Sequence, residues 1–484
     1  MSSSESAPLV TAGLSVHYPE REEPALREVT EEISSGEAVV ITGPSGCGKS
    51  TFFRTVAGFV PEMIEARVSG DVRLYGRSVW ERDPADIATR VGLVQQDPDA
   101  QICTLNVRQE VAFGPENLCL PVDEVRSRVG SALEVAGITH LTSRKTTSLS
   151  GGEKQRLAIA SILAMNPELI LLDEPTANLD PAGAETIFDL LQTLREQEGR
   201  TLIIAEHRLA PLLGLSPRLL VIDRGQVVAR RETRTHEDLM ALGLRAKWDL
   251  EIEPARNNGG YPVDAKDLTF GYGDTPLFED LSLRLEPGDI IGIIGPNGGG
   301  KTSLLRLLAR LERPREGEVS FDGKARVGFV FQHPHQQIFE RTVRGELAIE
   351  GINDEDRLTA ILDEARLAGL ADMPPLSLSL GEQRRLTVAT TFARDPNVIL
   401  LDEPFIGQDR QNVAWIIARI LSARERGAII VLVSHDIPLV AALCSRLLFL
   451  GEEMIDGPTP DVLARLDAAG QEAYLPDYWE GVTE

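Results

Sequence analysis

Two segments of this chain place a lysine behind closely spaced glycines: Gly43-Pro-Ser-Gly-Cys-Gly-Lys-Ser-Thr51 and Gly295-Pro-Asn-Gly-Gly-Gly-Lys-Thr-Ser303. Both fit Gly-x-x-x-x-Gly-Lys-Ser/Thr, and both follow an apolar run and open a helical one, the context of a phosphate-binding loop. Glycines let successive backbone N–H groups turn inward as an anion nest, and the helix N-terminus adds favourable partial charge. The candidates for nucleotide binding are Gly43, Ser45, Gly46, Gly48, Lys49, Ser50 and Thr51, and then Gly295, Asn297, Gly298, Gly300, Lys301, Thr302 and Ser303. Lys49 and Lys301 would reach the β- and γ-phosphates, and the hydroxyls of Ser50 and Thr302 would face Mg²⁺. Asp173 and Asp402 end the apolar runs of Leu169-Ile-Leu-Leu-Asp-Glu-Pro175 and Val398-Ile-Leu-Leu-Asp-Glu-Pro404, which puts a carboxylate on the magnesium side. Glu174 and Glu403 follow, placed to orient and activate a water. This is the equipment of phosphoryl transfer, in which positioning and charge stabilisation carry the reaction.

These residues come in two matched series. Lys49, Gln96, Ser150, Asp173 and His207 are answered in order by Lys301, Gln332, Ser379, Asp402 and His435, and serine precedes aspartate by the same 23 residues in each. A repeat of this length means two copies of one domain. Each copy alternates β-rich apolar runs with amphipathic helical ones, an α/β layer pattern. Between Gln96 and Ser150 the pattern is mostly helical, as in Val122-Asp-Glu-Val-Arg-Ser-Arg-Val-Gly-Ser-Ala-Leu-Glu-Val-Ala136, and reads as a helical subdomain inserted into the core. The expected division is a first domain over 1–240, a linker over 241–262 and a second domain over 263–484. The linker contains Glu251-Ile-Glu-Pro-Ala-Arg-Asn-Asn-Gly-Gly260, whose Pro, Asn and Gly content breaks regular structure.

Composition narrows the classes. With 42% hydrophobic and 25% charged residues, the 484-residue chain reads as globular with full cores, and no apolar run approaches the length of a membrane span. The first residues lack a basic and an apolar region, so no secretory signal is expected. A formal net charge of −25 and the absence of a long basic stretch disfavour a nucleic-acid partner. The four cysteines, Cys47, Cys103, Cys119 and Cys444, are scattered and read as reduced, without a metal site.

Leu149-Ser-Gly-Gly-Glu153 opens a further amphipathic helix and offers a second anion-binding N-terminus. The phosphate loop of its own half is already built, so this end must serve a different nucleotide. Here the chain resembles the signature of ATP-binding cassettes, and the resemblance covers about residues 9–230 and 263–460. It implies two tandem P-loop NTPase nucleotide-binding domains that hydrolyse ATP with Mg²⁺. It further implies two ATPs sandwiched between the halves, each held by one phosphate loop and the other half's signature, Ser150 and Gly152 or Ser379 and Gly381. Gln96 and Gln332 match the loop glutamine that senses Mg²⁺ and the lytic water. His207 and His435 match the switch histidine near the γ-phosphate, and Tyr18 and Tyr272 match the adenine-stacking aromatic.

The loops Gln95-Gln-Asp-Pro-Asp-Ala-Gln-Ile102 and Phe331-Gln-His-Pro-His-Gln-Gln-Ile338 carry a second glutamine after proline. With Glu110-Val-Ala-Phe-Gly-Pro-Glu-Asn-Leu118, they resemble the energy-coupling factor ATPases, which drive import of vitamins and transition-metal ions. That resemblance implies a transmembrane coupling subunit and a membrane-embedded substrate-binding subunit as partners, and a peripheral location on the cytoplasmic face of the cell membrane. Two other readings are a twin-cassette ATPase of a sugar importer and a soluble twin-cassette protein acting on ribosomes or DNA. The Pro-x-x-Gln loops weigh against the first, and the short linker without a basic run against the second. His333 and His335 read as part of an interface loop rather than as metal ligands.

The halves differ in one motif. Leu378-Ser-Leu-Gly-Glu382 has Leu380 where the first half has Gly151, and Thr176-Ala-Asn-Leu-Asp180 becomes Phe405-Ile-Gly-Gln-Asp409. A β-carbon costs most where the backbone needs a positive φ or close approach to a ligand. In the sandwich that the resemblance implies, the altered signature acts on ATP at Lys49 and Glu174. The Lys301/Glu403/Ser150 site is therefore expected to turn over faster than the Lys49/Glu174/Ser379 site.

Overall fold

The computed structural model describes residues 7–19, 21, 23–44, 46–177, 179–206, 209–232, 248, 250, 262–273, 275–321, 325–348, 354–476 and 479. The chain separates into two compact units, residues 1–179 with 183–245, and residues 246–484 with 180–182. Most of the segment expected as a linker, 241–262, lies outside the described residues, as do Ser45 and His207.

In the first unit the strands β1 (Leu9–His17), β2 (Leu26–Ile33), β4 (Arg67–Leu74) and β5 (Arg77–Ser78) form an antiparallel sheet in the order β2-β1-β4-β5. The larger sheet holds β3 (Ala38–Thr42), β6 (Val91–Val94), β7 (Leu169–Asp173), β8 (Thr201–Ala205), β9 (Arg218–Asp223) and β10 (Gln226–Glu232), in the order β10-β9-β3-β8-β7-β6. Its strands run parallel except β10, which pairs antiparallel with β9. The all-buried Ala38-Val-Val-Ile-Thr of β3 is what a strand covered on both faces requires. In a parallel sheet the carboxyl ends share one edge, where α/β proteins place their ligands. The ends of β3, β7 and β8 carry Gly43, Asp173 and the segment leading to His207.

Six helices complete this unit among the described residues: α1 (Lys49–Val56), α2 (Pro84–Ala88), α3 (Val107–Asn117), α4 (Val122–Val135), α5 (Gly151–Ala164) and α6 (Pro181–Glu196). The expected helical insertion is α3 and α4, which bury Val107, Val111, Val125, Val129 and Leu133 against Leu157 of α5. Leu157 is 0% exposed, so Leu157→Ala would cost roughly 2–5 kcal/mol through lost contacts and a cavity.

The second unit repeats the plan. β11 (Val263–Phe270), β12 (Phe278–Leu285) and β14 (Glu316–Phe321) form a sheet in the order β12-β11-β14. The larger sheet contains β13 (Ile290–Ile294), β15 (Val327–Val330), β16 (Val398–Asp402), β17 (Ile429–Val433), β18 (Arg446–Leu450) and β19 (Met454–Pro458), in the order β15-β16-β17-β13-β18-β19. Read from the other edge, this is the order of the first large sheet. Its helices are α7 (Lys301–Leu308), α8 (Val343–Ala348), α9 (Glu355–Glu364), α10 (Leu380–Ala393), α11 (Arg410–Glu425), α12 (Ile437–Leu443) and α13 (Thr459–Ala468). No helix of the described residues is long and apolar enough to cross a membrane.

Candidate active sites

Each phosphate loop joins a buried central strand to a helix: β3 to α1, and β13 to α7. Gly48 has φ 112°, and a β-carbon there would lie 2.4 Å from the Ala25 carbonyl oxygen, so only glycine fits this close approach. Gly300, its counterpart, has φ 91°. Lys49 and Lys301 are buried and fold over their own loops. Lys49 Nζ donates to the carbonyls of Gly43 at 2.9 Å and Pro44 at 3.3 Å, and Lys301 Nζ to those of Gly295 and Pro296, both at 2.8 Å. Burial draws the Lys301 pKa down, while Glu403 and Asp402 hold its proton on. Gly46, Asn297 and Gly298 lie on the exposed side of the loops.

Behind each loop stands an oxygen pair. Thr302 Oγ1 donates to Asp402 Oδ2 at 2.8 Å, and Ser50 makes the matching hydrogen bond to Asp173. Burial, with the Glu174 carboxylate beside it, pushes Asp173 up to about 6, and burial raises Asp402 as well. A hydroxyl and a carboxylate are the hard donors that suit Mg²⁺. No group of three or more acidic, His or Cys side chains among the described residues could hold a metal alone. The pair therefore fits Mg²⁺ in the way that ion usually binds, through one carboxylate and the oxygens of a phosphate.

Glu174 and Glu403 share an unusual backbone, with φ 48° and 51°. A non-glycine residue seldom adopts the left-handed region, and strain of this kind persists where the surroundings impose it. Here they do: Glu174 N donates to Ala205 O and Glu403 N to Val433 O, both at 2.9 Å, each locking its turn to the next strand. The carboxylates are held differently. Gln96 Nε2 donates to Glu174 Oε2 at 2.8 Å, so the loop glutamine and the glutamate meet directly. Glu403 Oε2 accepts from the His435 backbone N at 3.3 Å, and Oε1 lies 3.3 Å from His435 Nε2. Glu403 is 3% exposed; burial and the Asp402 charge push its carboxyl well above the ordinary range.

Ser150 and Ser379 cap α5 and α10 with the same reciprocal bonds, each serine side chain accepting from the N3 backbone and Glu153 or Glu382 reaching back. Gly152 and Gly381 follow in the first turn. Gly151 and Leu380 are both the first residue of a right-handed helix. No left-handed φ is required at Leu380, so of the two grounds for a cost there, the backbone one falls away; the difference between the halves is a half-buried side chain at the helix mouth.

The aromatics also differ. Tyr18 is half-buried and its hydroxyl donates to Thr51 Oγ1 at 3.3 Å. Tyr272 is 60% exposed, meets Phe270 edge-on at 5.2 Å, and its hydroxyl donates to the Glu312 carboxylate at 2.8 and 2.9 Å. Ser303 is buried in the first turn of α7.

Structure explains residues that the sequence marked only as a motif. Gln101 and Gln337 brace their loops, accepting from Gln95 N at 3.1 Å and Phe331 N at 3.3 Å. Glu110 and Glu346 bind two successive backbone N–H groups each, at 3.1 and 2.7 Å and at 2.9 and 2.7 Å. Three further pairings escaped the sequence reading: Thr176 Oγ1 to Glu206 at 2.6 Å, Gln408 Nε2 to the Gly381 carbonyl at 3.0 Å, and Arg384 to the carbonyls of Glu403 and Gln332. The sequence held no signal for Arg384, because α10 is buried on nearly all sides and shows no apolar face that would mark the cation as out of place.

The sequence model of the family described as ABC transporter matches residues 26–177 and 278–406. A Bacillus subtilis protein, YkoD, provisionally named an HMP/thiamine import ATP-binding protein, is 34% identical over 96% of this chain and 94% of its own. A Methanosarcina acetivorans protein, provisionally named an ABC transporter ATP-binding protein, is 32% identical over 96% of this chain and 88% of its own. Among solved structures, archaeal ribosome recycling factor aABCE1, in complex with the ribosomal stalk protein aP1, aligns over 94% of this chain and 92% of its own. Its TM-score is 0.65 at 22% identity, a likeness of fold alone. With both halves matched to one family and relatives alike over nearly its whole length, the chain belongs to the ABC transporter family and is a twin-cassette, ATP-binding ATPase.

Proposed function

We propose that this chain is the energy-coupling ATPase of an ECF-type importer for a vitamin, a vitamin precursor or a metal ion. The observation that carries the reading is the loop that each half builds alike: Pro-x-x-Gln, pinned by Gln101 or Gln337 and by Glu110 or Glu346. These braces hold exposed apolar side chains in fixed places, Leu105 at 72% and Phe339 at 77% exposure, available to a membrane partner. The full-length likeness to a protein named for HMP/thiamine import points the same way and favours a thiamine-related cargo. The partners are then a transmembrane coupling subunit and a substrate-binding membrane subunit, with the chain peripheral on the cytoplasmic face.

In this reading ATP lies against each glycine nest, with Lys49 or Lys301 released from its loop carbonyls onto the β- and γ-phosphates. Ser50, Asp173 and Gln96 hold Mg²⁺ in one cassette, and Thr302, Asp402 and Gln332 in the other; the ion, when bound, offsets charge on the phosphate oxygens. Glu174 or Glu403 orients the water and accepts its proton as the water oxygen attacks the γ-phosphorus and ADP departs. His207 and His435 steady the γ-phosphate. The two cassettes share two nucleotides, and the unaltered Ser150/Gly151 signature serves the Lys301/Glu403 site, which turns over faster. Purification from membranes tests the assignment. Recovery with two small hydrophobic subunits supports import, whereas sedimentation with ribosomes in place of membranes overturns it.

A further inference from the structure

Arg384 sits one turn into α10, the helix opened by Ser379, and is among the largest fully buried side chains of the chain. Its Nη1 donates to the backbone carbonyl of Glu403, and its Nη2 to that of Gln332 at 2.7 Å. Its Nε is buried without a partner. Burying a guanidinium is costly, and it lowers the Arg384 pKa to about 10 although Glu403 and Asp402 oppose the shift. A cation so placed is tolerated because two carbonyls and nearby carboxylates compensate it, and a planar fork can bridge two separated acceptors where an ammonium cannot. Gln408 adds a second tie on the same helix, from the loop after β16 to the Gly381 carbonyl at 3.0 Å.

The first cassette has Gln155 at the matching place, five residues after Ser150. It is equally buried, and its Nε2 has no hydrogen-bond partner. Leu179 stands where Gln408 does. The first cassette thus joins loop to carboxylate through the Gln96 side chain, whereas the second joins them through the signature helix.

We infer that Arg384 is a positioning residue for hydrolysis in the second cassette, making α10, the Gln332 loop and the backbone of Glu403 move as one piece. A shift of the signature helix is then carried to the water-orienting carboxylate through two hydrogen bonds, and misplacement of that group by an ångström costs up to about a hundredfold in rate. The inference rests on the reading of Glu403 as the residue that orients the attacking water.

The test uses the full chain with Arg384→Gln, a side chain already accommodated at position 155, and Glu403→Gln as control. ATPase kcat and KM are measured with binding of a fluorescent ATP analogue. The expected result is a fall in kcat of at least about tenfold, with KM and analogue Kd within about twofold, because the defect is in positioning rather than binding. Should Arg384→Gln fail to fold, Arg384→Lys carries the test, with a smaller fall in kcat at unchanged Kd. If Glu403→Gln stops turnover while kcat of the Arg384 variant stays within twofold, or if kcat falls and the analogue Kd rises with it, Arg384 has no positioning role. If Glu403→Gln itself leaves turnover intact, the catalytic reading of the site fails first.

Discussion

The two cassettes are one fold written twice, with the same order in the large sheet, the same left-handed glutamate after the same strand, and the same capped signature helix. They part company in how the carboxylate of that glutamate is held. Glu174 is reached by a neutral amide from Gln96, while Glu403 is enclosed by His435 and backed by the buried Arg384. The backbone geometry is shared, and the side chains around it are where the two copies differ. A duplicated domain can therefore keep both sites recognisable while surrounding them with different side chains.

The largest effect expected is on what the halves share. Lys49→Ala combined with Lys301→Ala removes the buried ammonium from both nests, and ATP affinity should fall at least about a hundredfold by equilibrium binding, since phosphate charge is then left uncompensated. Unaltered binding would remove the basis of the comparison. A sharper test concerns Leu380. Replacing it with Gly, as in the first cassette, should raise by about two- to threefold the residual turnover of a chain that already carries Glu403→Gln, where the slower site alone is read. The cost should be a small loss of Tm, because glycine is a poor helix former. No change in turnover would show that the side chain merely repacks.

The smallest effect lies in the antiparallel sheets. On β4, Arg73 donates to Asp71 at 2.7 Å and holds its carboxyl below the ordinary range, whereas Ser320 of β14 stands at the place of Arg73. A depressed carboxyl contributes stability that is present above the unfolded value near 4 and is lost as pH falls through the folded value. Arg73→Ala should lower the Tm of the chain by about 1 °C at pH 7, since exposed pairs count for little, and the difference should close below about pH 4. A gap that widens in acid would reverse the sign.

Much of this was legible because the chemistry is local. Gly43 to Thr51 and Gly295 to Ser303 dictate their loops by residue type, and the terminal aspartates of two apolar strands announce their place on the sheet edge. The helical insertion showed in the spacing of Val125, Val129 and Leu133. What stayed hidden was contact across the fold. Gln101 and Gln337 were visible as a pattern, but their role as braces depends on where the chain turns back. Arg384 reads in sequence as an ordinary helix cation, and only burial reveals it as a tether. Leu380 was legible only as a departure from the motif: the sequence left open a left-handed backbone or a close ligand, and the structure shows that the position is plain helix.

The central proposal is that hydrolysis falls mainly to the Lys301/Glu403 site. Steady-state ATPase measurements on Glu174→Gln and Glu403→Gln, each alone in the full chain, test it most directly. Glu403→Gln should lower kcat at least about a hundredfold and Glu174→Gln no more than about tenfold. The opposite ranking, or equal losses from both, would contradict the account.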